Sequence, residues 1–121
     1  MWPKPRLVLL TLIALTTTPL YAHDIYSGLT TKRGASCCDD HDCRPAHYRM
    51  TSAGVEMFVL GKWLPIREYA IQYRTLPGDT GETGGAHWCG KEFPGFGSLT
   101  YCAVMPPSSA SVAISGLKNS N

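Results

Sequence analysis

The chain has 121 residues, five cysteines and a formal net charge of +2. Two basic residues, Lys4 and Arg6, lie at the extreme N-terminus, so residues 23–121 set nine basic groups against nine acidic ones. That balance leaves no electrostatic footprint for nucleic acid and no polybasic stripe for anionic lipid, and a chain this size forms one domain with a modest core.

In chain order, Met1 to Arg6 is basic, Leu7 to Leu15 is apolar and Thr16 to Ala22 runs small and polar to an alanine. Nine apolar residues fall well short of the roughly 20 that span a bilayer as a helix. The pattern predicts a signal peptide over 1–22, cleaved after Ala22, and a periplasmic or secreted product with no stable membrane insertion once the signal is gone. All five cysteines follow this segment, in a compartment where disulfides persist.

The rest predicts a mainly β fold: a small antiparallel sheet with long loops, stapled by disulfides, over 23–105, then a flexible C-terminal tail over 106–121. His47 to Thr51, Val55 to Leu60 and Leu99 to Val104 are β-branched and aromatic runs of strand length. Ser52-Ala53-Gly54 is the expected turn between the first two. Gly61-Lys62 folds the second onto Trp63 to Ile66, whose Pro65 lacks an amide donor and belongs on an edge. Arg67 to Arg74 fits a turn or two of helix through Ile66, Tyr69, Ala70 and Tyr73, and fits an extended strand equally. Leu76 to Gly85 holds four glycines in ten residues and reads as a surface loop, without the Gly-Lys-Ser/Thr ending of a nucleotide loop.

Residues 37–45 concentrate the chemistry, with three thiols, three carboxylates and an imidazole. An EF-hand counted from Asp40 places Pro45 and Thr51 where glycine and glutamate are required, which excludes it. Paired Cys-x2-4-Cys knuckles are missing as well, since Cys89 and Cys102 stand 13 apart, so a disulfide-pinned turn is expected in preference to a thiolate metal site. Of Cys37, Cys38, Cys43, Cys89 and Cys102, four pair and one stays a thiol, with 15 possible arrangements. Vicinal Cys37 and Cys38 do not favour each other, so the turn is expected to be tied to the strands carrying Cys89 and Cys102. The odd thiol is either buried and inert or the seam of a disulfide-linked dimer. A thioredoxin-like role is disfavoured because no Cys-x-x-Cys is present.

Cleavage after Ala22 makes His23 the first residue, and its amine and imidazole could chelate copper if His47 or His87 completed the set. With His41 in the acidic turn, His23, His41, His47 and His87 are the candidate metal ligands. No nucleophile elbow, metalloprotease helix or paired catalytic carboxylates are present. Trp63, Trp88, Tyr48, Tyr73 and Tyr101 could form an aromatic platform for a sugar or peptide, but are needed first to fill the core.

The blocks Cys-Cys-Asp-Asp-His-Asp-Cys-Arg-Pro (37–45), His-Trp-Cys (87–89) and Tyr-Cys-Ala-Val-Met-Pro-Pro-Ser-Ser (101–109), with His-Asp-Ile-Tyr (23–26), resemble those of small exported cysteine-rich proteins of Gram-negative bacteria, especially alphaproteobacteria. The likeness covers most of 23–109, and the vicinal cysteines are its most distinctive part. That family carries no assigned activity, so the resemblance implies export and the cysteine framework alone. The expected function is therefore a disulfide-stabilised binding or structural module without catalysis, its partner an unidentified protein or small ligand and no cofactor required. The alternative is a periplasmic copper- or zinc-binding protein.

Overall fold

The computed structural model describes residues 25–38 and 42–111. The expected signal peptide over 1–22, His23 and His41 lie outside the described residues.

Among the described residues seven strands form two sheets. A three-stranded meander contains β2 (Tyr48–Thr51), β3 (Gly54–Val59) and β4 (Lys62–Pro65), in the order β2-β3-β4. Alternation dictates its faces: Val55, Met57 and Val59 are buried, whereas Arg49, Glu56 and Phe58 point outward. The β3–β4 connection is the two-residue turn Leu60-Gly61, both at positive φ, the primed geometry that matches strand twist. β4 is an edge strand, as Pro65 requires. Outside, Arg49 pairs with Glu56 and stacks 4.2 Å over the Trp63 ring, and Phe58 leans on the same indole.

The second sheet has four strands, β1 (Asp42–Pro45), β5 (Ile71–Tyr73), β6 (His87–Phe93) and β7 (Gly97–Met105), in the order β1-β6-β7-β5. β5 runs parallel to β7, so this sheet is mixed, where one antiparallel sheet was expected. The ambiguous 67–74 segment divides: Glu68–Ala70 makes a single 3-10 turn, with Tyr69 largely exposed, and Ile71–Tyr73 becomes β5.

His87 to Gly90 of β6 and Cys102 to Met105 of β7 are buried on both faces, which requires a cover on each side of the sheet. On one side Trp88, Ala103 and Met105 pack against the meander through Met57, Val59 and Ile66. On the other, Cys89, Cys102 and Val104 are covered by the segment carrying Tyr26, Leu29 and Cys37, together with Leu76. The register slips between Cys89 and Gly90, and Gly90 there lies hard against the Trp88 ring and the Leu99 carbonyl. Beyond Met105 the chain is not loose at once. Residues 107–111 form a helical turn, and Ser109 is buried with its hydroxyl donating to the Pro106 carbonyl. Among the described residues no helix is long and apolar enough to cross a membrane.

Candidate functional site

Strand register sets out the sulfur chemistry. Cys43 on β1 faces Cys89 on β6, and Cys89 faces Cys102 on β7, so three cysteines form a row across three adjacent strands. The vicinal pair Cys37-Cys38 lies over that row. Its approach is fixed by a tight turn in which the Thr31 amide donates to the Ala35 carbonyl and the Thr31 hydroxyl accepts from the Ala35 amide. The Cys37 amide then donates to the Leu29 carbonyl.

Cys37 and Cys102 form one disulfide, Cα to Cα 5.8 Å, with both residues fully buried. The other three sulfurs form a cluster. Cys43 Sγ is in bridging contact with both Cys38 and Cys89. Cys38 Sγ stands 3.9 Å from Cys89 Sγ, and all three lie within 4.8 Å of one another. A disulfide sulfur forms one S–S bond, so Cys43 closes with one neighbour at a time and the third sulfur is left as a thiol. Five cysteines thus resolve into one fully buried bridge and a three-sulfur centre. Cys89 is fully buried, whereas Cys38 and Cys43 are half-buried at the β1 edge of the sheet.

On the same face of β6, two residues before Cys89, His87 is wholly buried. The Tyr26 hydroxyl lies 2.9 Å from its Nδ1, and Asp79 Oδ1 lies 2.9 Å from Nε2. The Asp79 approach is oblique: it is a close polar contact and not an aligned hydrogen bond. This chain ties the glycine-rich loop to the N-terminal segment through β6.

Of the candidate histidine ligands, His47 is exposed at the start of the meander and His87 is wholly buried, its Nδ1 hydrogen-bonded with Tyr26 and its Nε2 facing Asp79. The two do not meet at a common site, and among the described residues the metal-ligating cluster is made of cysteines alone. The candidate aromatic platform is likewise dispersed, with Trp88 in the core and Trp63 on the meander's outer face beneath Arg49.

The fold and site define a small disulfide-rich β domain with a three-cysteine centre on one sheet edge. No family model, curated protein or solved structure matches this chain. Its function is therefore argued from the cluster's own geometry.

Proposed function

We propose that this protein is an exported, disulfide-stapled binding module whose reduced Cys38–Cys43–Cys89 cluster takes up a soft metal ion of the copper(I) class. The observation that carries this reading is the convergence of three sulfurs from two separate regions of the chain. Two thiolates sharing an ion at about 2.3 Å stand roughly 3.8–4.0 Å apart in tetrahedral or trigonal geometry. Cys38 and Cys89 already have that spacing, at 3.9 Å. Cys43 has only to swing away from its two neighbours to become the third ligand. Thiolate donors select copper(I) and zinc over harder cations, and a three-thiolate set suits copper(I), which accepts three ligands. The disulfides accord with a compartment outside the cytosol.

The test is titration of the reduced protein with copper(I) under argon against a competing chelator, with stoichiometry read by native mass spectrometry. One ion per chain is expected, with affinity falling at least about tenfold in Cys38→Ser, Cys43→Ser and Cys89→Ser and unchanged in His47→Ala. Failure of the reduced cluster to bind, or uptake indifferent to all three substitutions, would overturn the proposal.

A further inference from the structure

We infer that the same cluster, when it meets a disulfide-bearing partner, is a three-sulfur exchange relay with Cys38 as its outer thiol, Cys43 as its carrier and Cys89 as its buried terminus. This rests on the cluster reading above and not on the metal.

Three features set the direction. Cys43 contacts both neighbours, so every exchange between the outer and buried sulfurs can pass through it. Cys89 is fully enclosed, between β1 and β7 and beneath the N-terminal segment, so a partner molecule cannot reach it. Cys38 is half-buried and closes the covering segment rather than lying within the sheet. When Cys43 is bridged to Cys89, the remaining thiol is therefore presented at Cys38. When Cys43 is bridged to Cys38, the remaining thiol is hidden at Cys89.

From the fully reduced cluster the steps balance as three thiolate displacements. The Cys38 thiolate attacks a small disulfide RSSR, forming Cys38–S–S–R and releasing RS⁻. The Cys43 thiolate attacks Cys38 Sγ, closing Cys38–Cys43 and releasing the second RS⁻. The Cys89 thiolate then attacks Cys43 Sγ, closing Cys43–Cys89 and returning Cys38 as a thiolate. In sum, Cys43 and Cys89 are oxidised by two electrons, RSSR is reduced to two RSH that take up the two thiol protons, and the outer thiol is restored. Oxidation removes two of the three metal ligands, so the relay also switches the proposed metal site off.

The experiment uses the oxidised, metal-free protein, alkylated without reductant and peptide-mapped, and the reduced protein mixed with oxidised glutathione. Wild type is expected to take one label, at Cys38, at least about tenfold faster than at Cys43 or Cys89. Cys89→Ser holds Cys43 on Cys38 and loses the label. Cys38→Ser holds Cys43 on Cys89 and takes none, with its fold intact by circular dichroism. With one equivalent of oxidised glutathione, wild type releases two equivalents of the reduced form, and the mixed disulfide caught by acid quench after the first displacement maps to Cys38. Labelling chiefly at Cys43 or Cys89, or an undiminished Cys38 label in Cys89→Ser, would overturn the relay. Because no metal is present, copper(I) uptake without the labelling pattern sinks the relay alone, and the pattern without uptake sinks the metal reading alone.

Discussion

Replacing either end of the sulfur cluster with serine separates its two bridges energetically. In Cys38→Ser the protein keeps Cys37–Cys102 and closes Cys43–Cys89. In Cys89→Ser it keeps Cys37–Cys102 and closes Cys38–Cys43, which spans a sequence separation of only 5. Cys43 and Cys89 are 46 apart along the chain. Once Cys37–Cys102 is closed, the shorter route between them runs six residues back to Cys37 and thirteen from Cys102 to Cys89. On the chain-entropy model a loop of about 19 residues contributes about 3 kcal/mol and one of about 5 residues about 2 kcal/mol. To that difference of about 1 kcal/mol, Cys89→Ser adds a hydroxyl at a fully buried position, which costs about 1–3 kcal/mol without a partner. The expected loss is about 3 kcal/mol for Cys89→Ser, a fall of roughly 12–24 °C in Tm for a domain this size. For half-buried Cys38→Ser it is under about 1 kcal/mol. Thermal unfolding followed by circular dichroism without reductant, with bridges checked by intact mass, measures both. Equal melting of the two variants, or the larger loss in Cys38→Ser, would refute the assignment of Cys89 as the buried terminus.

Other substitutions probe the frame around the cluster. Gly90→Ala drives a methyl group into the Trp88 ring and the Leu99 carbonyl beside the register slip, and should cost more than about 2 kcal/mol by denaturant titration. A value under about 0.5 kcal/mol would show that the strand does not pass so close. Tyr26→Phe leaves His87 Nδ1 buried without its hydroxyl partner, for an expected loss of about 1–3 kcal/mol and faster amide exchange over residues 25–31, while a neutral result would remove the anchoring role of the contact. Burial, and secondarily the Glu68 carboxylate, hold the Tyr73 phenol above its ordinary pKa of 10.0. The raised value in the folded state means that its contribution is fully present below the ordinary tyrosine range and is lost as pH climbs through the folded pKa. Tyr73→Phe should therefore unfold at a more alkaline midpoint than wild type, and an unchanged midpoint would refute the shift.

Strands whose stability is local were legible in the sequence. Val55 to Val59 alternates cleanly and Pro65 can sit only where its missing donor faces solvent, but the turn falls at Leu60-Gly61, one residue before the expected Gly61-Lys62, because Leu60 takes a positive φ and Lys62 already pairs with Val59. β1 was not legible, because Asp42-Cys43-Arg44-Pro45 has little strand propensity of its own and is extended through its pairing with β6. The 67–74 segment misled both patterns, since its apolar spacing serves a single 3-10 turn and then a three-residue parallel strand. The vicinal cysteines marked the chemically dense turn; Cys37 reaches distant Cys102, whereas the bridging neighbour of Cys38 is Cys43, only five residues along. The three-sulfur centre was not. A search for metal or redox spacing looks along the chain, whereas Cys43 and Cys89 meet because Asp42 aligns with Gly90, a register set by the whole sheet. His87 looked like a ligand for the same reason, with nothing nearby in sequence to announce Tyr26 or Asp79.

The placement of the Cys37–Cys102 bridge has a mechanical consequence. It joins the covering segment to the central strand β7, whereas the cluster closes over the edge strand β1. Breaking the Cys43 bridge therefore frees the margin of the molecule only, and the covering segment stays tied to β7. On the relay reading, exchange at the rim leaves the interior tie intact, because both residues of Cys37–Cys102 are fully buried.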